Sequence, residues 1–153
     1  MRKVLFALAA LALLACSGEP GSPEAAVRAT LAAIETAAGE RDVGTLKEHV
    51  SEAYADAQGN DKRAVVGVAA LHLLRNQAVY TFSRIQAIDT SLPGRADVRA
   101  LVALAGRPIP DAAALATVRA DLYRFDVRLR EEEPGTWRVV SADWQPATLG
   151  DFR

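Results

Sequence analysis

Strict alternation of apolar and polar residues marks the last third of the chain. Between residues 123 and 130, apolar side chains occupy every second position and charged side chains fill the positions between them. A period of two predicts a half-buried β-strand. Residues 132–135 supply turn chemistry, and residues 137–144 predict a second strand. Because such a hairpin is not stable alone, we expect the upstream residues to cover its apolar face.

Helical periodicity predicts three helices upstream. Ser22 and Pro23 suit the start of the first helix, whose apolar residues share one face. Asp42 is expected to cap a second helix that ends near residue 54, and Asp61 a third that ends near residue 75. The third helix carries apolar residues nearly all round, so we expect it to be buried on more than one side.

Two further strands are predicted between the helices and the hairpin. Residues 79–88 are rich in β-branched and aromatic side chains, and their irregular alternation indicates a bulge. Residues 97–105 alternate more regularly, and residues 111–117 form a linker or a short helical turn. Three helices followed by four strands predict an α+β fold, with the helices against one face of a mainly antiparallel sheet.

The first fifteen residues have the character of a secretory leader. Arg2 and Lys3 precede an apolar run over residues 4–14, which is too short to span a membrane. Residues 13–16, Leu-Leu-Ala-Cys, resemble the lipobox of bacterial lipoproteins. The resemblance implies cleavage before Cys16 and attachment of lipid to its thiol, which would anchor the chain in a membrane. The alternative is a plain signal peptide in which Cys16 is incidental.

The predicted organisation is a signal peptide over residues 1–15, a flexible tether over 16–22, a folded domain over 23–146 and a tail over 147–153. The predicted location is the cell envelope, with the domain facing the periplasm. Ser17, rather than Asp, follows the cysteine. This favours the outer membrane in a host that has two.

Composition removes several classes of function. Cys16 is the single cysteine, so the domain has no disulfide, cysteine-based metal cluster or thiol nucleophile. The 18 basic and 19 acidic residues nearly balance, which gives no electrostatic reason to bind nucleic acid. The chain has no phosphate-binding loop, dinucleotide fingerprint or nucleophile elbow. We therefore predict no cofactor and no metal site.

The order of the elements and the closing ribbon Gly-Thr-Trp-Arg-Val-Val-x-x-x-Trp resemble the nuclear transport factor 2-like superfamily over most of residues 23–144. That superfamily includes SnoaL-like cyclases and ketosteroid isomerases. The resemblance implies a cystatin-like cone, in which three helices pack on the concave face of a curved four-stranded sheet. A hollow is then expected between the helices and the sheet. The fold hosts enzymes, ligand binders and dimerisation modules, so it does not define an activity.

Candidate pocket residues follow from the parity of the last strand. If Trp137 packs inward as in relatives, Ser141 and Asp143 share its side and face the hollow. The full set of candidate lining residues is Tyr54, His72, Tyr123, Trp137, Ser141 and Asp143. An Asp in an apolar pocket could remove a proton while a Tyr hydroxyl stabilises the oxyanion, so the weak catalytic candidates are Asp143, Tyr123, Tyr54 and His72. The alternative places Asp143 at a wet rim and makes the tyrosines core residues.

The opposite side of the hairpin is a candidate homodimer surface. By parity, Leu122, Val140 and Trp144 share this side with a row of arginines. Such a surface could form an isologous dimer, with the apolar residues central and the arginines at the rim. The alternative is a solvated face on which arginine stems cover the apolar residues.

Two functions fit the sequence. The first is a lipid-anchored, non-catalytic module of the cell envelope that binds a small apolar ligand or another protein. The second is a SnoaL-like isomerase or cyclase acting on a small hydrophobic carbonyl compound, with Asp143 as the base. The two differ in whether the hollow is open and holds a polar cluster.

Overall fold

The computed structural model describes residues 19–153. The helices are α1 (Pro23–Glu40), α2 (Val43–Glu48) and α3 (Lys62–Arg75), and the strands are β1 (Tyr80–Asp89), β2 (Arg95–Ala105), β3 (Ala120–Glu133) and β4 (Thr136–Pro146). Short 3₁₀ helices span Ala113–Ala116 and Leu149–Phe152. The predicted signal peptide, Cys16 and Ser17 lie outside the described residues.

The four strands form one curved antiparallel sheet in the order β1-β2-β3-β4. The predicted α+β class is confirmed, and so is the bulge in β1, where the register shifts between Ile85 and Ala87. A second bulge lies in β4. Arg128 is opposite Ser141, whereas the next residue, Leu129, is opposite Val139. Val140 is therefore an extra residue, and the strand changes face there.

Acidic and hydroxyl side chains begin the three helices, as predicted. The Ser22 hydroxyl accepts a hydrogen bond from the Ala25 amide at 3.1 Å. Asp42 and Asp61 do the same for amides three residues ahead of them, at 3.0 and 2.8 Å. Each bond satisfies an amide that has no partner within the first turn of its helix.

The second helix ends earlier than predicted, and residues 49–55 instead line the edge of β4. Val139 donates its amide to the His49 carbonyl at 2.8 Å, and the Ser51 amide donates to the Val139 carbonyl at 2.9 Å. Ala55 adds a bond from its amide to the Val140 carbonyl at 3.0 Å. The β4 edge offers these backbone partners, so the chain leaves the helix to pair with it.

The main core lies between α1 and the concave face of the sheet. Val27 of α1 is fully buried against strand residues that include Leu129 and Trp137. At the other end of α1, Glu35 accepts hydrogen bonds from Thr81 at 2.9 Å and from Ser83 at 2.8 Å. These contacts hold α1 along the sheet. α3 lies over the part of the concave face that α1 leaves uncovered.

A second core covers part of the convex face. Leu101 and Ala103 of β2 are buried there beneath Leu115, from the loop after β2, and Phe152, from the C-terminal 3₁₀ helix. Arg124 of β3 donates to the Asp151 carboxylate at 2.6 Å and holds this helix in place. Residues 147–153 are therefore packed on the sheet, which differs from the predicted tail.

The third helix is buried on one side only, so the predicted burial on several sides is wrong. Leu73 is its one fully buried residue, whereas Val68, Leu71 and Leu74 are 48, 52 and 66% exposed. Among residues 19–153, no element covers the outer side of α3.

Candidate functional site

Three aromatic side chains line the concave face where α1 does not cover it. The rings of Tyr123 and Phe125 on β3 meet edge to face, with centroids 6.2 Å apart. The ring centroids of Trp144 on β4 and Phe125 are 6.1 Å apart. All three side chains are half-buried rather than buried. They form a continuous aromatic row that is partly exposed.

α3 lies on the same side of the sheet as this row. Val65 contacts the main core, and His72 reaches a cleft beside the strand ends, so both belong to the inward side of the helix. Between them the inward side carries Val66, Ala69 and Ala70, and the fully buried Leu73 follows His72. The backbone of α3 makes few close approaches to the strands. We call the region between α3 and the aromatic row the hollow.

A polar cleft of about 200 Å³ opens at one end of the hollow. Its polar lining comes from His72 and Asn76 on the helix side and from Arg119 and Asp121 at the start of β3. Asn76 donates its side-chain amide to the His72 carbonyl at 2.7 Å, which fixes the end of α3. Sequence reasoning identified His72 but missed the other three. Asp121 has the same strand parity as Tyr123, which was the available signal.

Two of the predicted lining residues are core residues. Trp137 packs inward as predicted, and it is buried in the main core rather than exposed to the hollow. The Tyr54 hydroxyl is 2.9 Å from the Asp56 carboxylate and 3.2 Å from the Ala142 carbonyl. Burial, and after it the hydrogen bond to Asp56, raises the pKa of Tyr54 well above its ordinary value. Its phenol is thus a structural hydrogen-bonding group.

Ser141 and Asp143 lie on the convex face, which contradicts their predicted orientation. They are opposite Arg128 and Asp126 in the ladder and line a cleft of about 270 Å³ on that face. Asp143 accepts a hydrogen bond from the Ala57 amide at 3.2 Å. The parity argument fails because the extra residue at the β4 bulge reverses the side on which the following residues lie.

Ion pairs occupy much of this convex cleft. Asp97 accepts hydrogen bonds from Arg95 at 2.7 Å and from Arg128 at 3.2 Å. The hydrogen bond from Arg95, and then that from Arg128, lowers the pKa of Asp97. Arg99 and Asp126 form a further ion pair at 3.4 Å, and such pairs are usual on a solvated sheet face.

The predicted dimer residues do not share a surface. Leu122 packs on the convex face against the second core, whereas Trp144 lies on the concave face beside Phe125. Val140 is buried at the bulge. The three residues lie apart because the bulge in β4 reverses the side on which Trp144 lies.

The structure separates the four catalytic candidates. Tyr123 faces the hollow and His72 lies at its polar end, while Tyr54 and Asp143 lie elsewhere. No group of three or more His, Cys, Asp or Glu side chains between Glu19 and Arg153 could hold a metal ion. Over the same residues, no helix has the length and hydropathy needed to cross a membrane.

Comparison with known proteins identifies the fold. No protein-family model and no curated protein matches the chain. Among solved structures, a ketosteroid isomerase-like protein from Erwinia carotovora atroseptica aligns with a TM-score of 0.59 and 16% identity over 81% of this chain and 95% of its own. An NTF2-like protein from Cytophaga hutchinsonii aligns with a TM-score of 0.61 and 11% identity over 82% and 99% of the two chains.

A candidate dehydratase of the NTF2-like family from Streptomyces avermitilis gives a TM-score of 0.59 and 15% identity, over 80% of this chain and 94% of that one. These alignments cover nearly the full length of each neighbour and include the helices as well as the sheet. The chain therefore has the nuclear transport factor 2-like fold, as its closing ribbon and the order of its elements predicted.

Proposed function

We propose that this protein is a lipid-anchored, non-catalytic binding domain of the bacterial cell envelope, and that its hollow takes one small, largely apolar ligand. The partly exposed aromatic row of Tyr123, Phe125 and Trp144 is the observation that carries this proposal. Ligand sites of this kind are concave and apolar, with a few polar groups that set orientation.

The polar groups around the row define the ligand further. Tyr123 is half-buried, and its hydroxyl can both donate and accept a hydrogen bond at a ligand in the hollow. His72, Arg119 and Asp121 at the polar cleft can accept or donate at the ligand's other end. A flat apolar body with a hydroxyl or carbonyl group matches this arrangement.

The isomerase or cyclase alternative loses its proposed base, Asp143, for a geometric reason. A general base must lie within hydrogen-bond reach of the proton that it removes. Asp143, the base of the enzymatic alternative, lies on the convex face and is separated from the hollow by the sheet. The ketosteroid isomerase-like neighbour supports the use of the hollow as a ligand site and nothing more specific.

Ligand binding can be tested with a soluble form that begins at Glu19. Native mass spectrometry reports a co-purified ligand, and fluorescence titration with 8-anilinonaphthalene-1-sulfonate reports an accessible apolar site. We expect Trp144→Ala to weaken binding of this probe at least tenfold, and Leu149→Ala, on the convex side, to leave it unchanged. Equal binding by both variants would refute the proposed site.

The lipid anchor is supported by the leader and by the sequence Leu-Leu-Ala-Cys that ends at Cys16. An acylated N-terminus with two or more chains gives stable membrane attachment. We expect Cys16→Ala to release the protein from the outer-membrane fraction, or to stop its maturation, while Ser17→Ala remains membrane-bound. A mature wild-type N-terminus whose mass shows no lipid on Cys16 would exclude lipidation.

A further inference from the structure

The outer side of α3 carries an exposed apolar stripe. Val68, Leu71 and Leu74 recur at intervals of three residues, and Ala64 and Gly67 extend the same side without a bulky polar group. Helical positions three and four apart lie on one side of a helix. Nothing among residues 19–153 covers this stripe.

The charges of α3 have a single sign. The helix contains Lys62, Arg63 and Arg75 and no acidic residue. Arg63 and Arg75 are exposed at its two ends, beside the stripe. Arg41 is also exposed, and it lies close to the end of α3 because its guanidinium donates to the Asn76 carbonyl at 2.7 Å.

We propose that this side of α3 docks on an anionic lipid surface. A helix that combines an apolar side with basic residues and no acidic ones lies well in the interface of a membrane with negative headgroups. The apolar stripe would enter the acyl boundary, and Arg41, Arg63 and Arg75 would contact headgroup phosphates.

The same charges disfavour a second copy of the chain as the occupant. If two α3 helices met through this stripe, Arg63 of one copy would meet Arg63 or Arg75 of the other, depending on the direction of the helices. Lys62–Arg75 contains no carboxylate to compensate this repulsion, and the one that precedes it, Asp61, accepts a hydrogen bond from the Ala64 amide. A negatively charged bilayer compensates it directly.

The length of the N-terminal segment agrees with this placement, although this step rests on the lipid anchoring proposed above. Cys16 stands seven residues before Pro23, so the extended tether reaches about 25 Å. α3 has 14 residues and is about 21 Å long. Because α1 and α3 lie on the same side of the sheet, the tether can bring the helical side of the domain onto the bilayer.

A label on the stripe tests the proposal in the mature lipoprotein. Cys16 is the only native cysteine and its thiol carries the proposed lipid, so Leu71→Cys can be labelled with an environment-sensitive fluorophore. We expect its emission to shift to the blue, with at least threefold protection from an aqueous quencher, in vesicles that contain 30% phosphatidylglycerol in phosphatidylcholine. The same label at Ala116→Cys, exposed on the convex side, should show neither change.

Charge reversal supplies the second measurement. Arg63→Glu combined with Arg75→Glu should remove the protection of the Leu71→Cys label, and Arg84→Glu, on the convex face, should preserve it. A label that stays exposed to quencher on anionic vesicles would overturn the proposal. Protection that depends on protein density rather than on phosphatidylglycerol would overturn it in favour of self-association.

The mass of the mature N-terminus separates this proposal from the anchoring itself. A protein without lipid on Cys16 refutes the anchor alone, and the Leu71→Cys label, with the Cys16 thiol blocked by Cys16→Ser, is then read on protein added to the same vesicles. A blue shift there still supports docking of α3, and its absence overturns docking.

Discussion

Trp144 lies directly opposite Phe125 in the β3–β4 ladder, with the two ring planes inclined by 30°. Cross-strand aromatic pairs of this kind contribute about 0.5 to 1.5 kcal/mol beyond the area that they bury. We expect a double-mutant cycle of Phe125→Leu and Trp144→Leu, measured by urea denaturation, to give a coupling energy in this range. A coupling near zero would mean that the rings do not form a packed wall of the hollow.

The two tyrosines first considered for catalysis should respond differently to loss of the hydroxyl. Tyr54→Phe removes a hydrogen bond within the main core, so we expect it to lower the free energy of unfolding by about 1 to 2 kcal/mol without changing ligand binding. Tyr123→Phe should leave stability within about 0.5 kcal/mol and weaken binding of any hydroxyl- or carbonyl-bearing ligand. The reverse pattern would assign Tyr54 to the site.

A buried serine hydroxyl favours the charged form of a carboxylate next to the β3–β4 turn. Ser51 is fully buried and donates its hydroxyl to the Glu132 carboxylate, which also accepts from Arg138 at 2.9 Å. The bond from Ser51, and then that from Arg138, lowers the pKa of Glu132 below its ordinary value of 4.5. The stabilisation is therefore complete above pH 4.5 and is lost as the pH falls through the lower value of the folded state.

Glu132→Gln tests this pH dependence. We expect it to reduce the free energy of unfolding by about 1 to 2 kcal/mol at pH 7, because it weakens hydrogen bonds to a charged group. The difference from the unmodified protein should shrink at pH 3. Glu133→Gln, at an exposed neighbouring position, is the control. A constant difference across pH would indicate that the charge of Glu132 is not involved.

The C-terminal residues are expected to contribute to stability. Phe152 is buried beside Phe82, with ring centroids 6.4 Å apart. Phe152→Ala should cost about 3 kcal/mol in urea denaturation, whereas Leu149→Ala, which is largely exposed, should cost no more than about 0.5 kcal/mol. A similar small loss from both variants would make residues 147–153 dispensable for the fold.

The order and type of the elements could be predicted because they depend on local patterns. Ser22, Asp42 and Asp61 begin the helices through short-range hydrogen bonds, and alternation of side chains defines β3. The end of α2 depended instead on pairing with the edge of β4, which is distant in sequence. Contacts between segments distant in sequence thus ended the helix, and the residues near position 48 carry no signal of them.

The residues of the site could be predicted only in part, because one extra residue in β4 changes which side chains face the hollow. The bulge at Val140 has no glycine or proline to mark it, yet it reverses the sides of Ser141, Asp143 and Trp144. Trp144 therefore faces the hollow rather than the proposed dimer surface, and Asp143 faces away from the hollow. Tyr123 lies in β3, before any register shift on that strand, so the bulge in β4 does not change its side.

The segment 49–55 has a further consequence for how copies of this protein meet. By hydrogen bonding along β4, it occupies one rim of the sheet that would otherwise attract a foreign strand. Among residues 19–153, the other edge strand is β1. The register shift after Ile85 and the charge of Arg84 make this edge unsuitable for pairing with a strand of another molecule. Copies of this protein at high concentration would thus be protected against forming continuous intermolecular sheets.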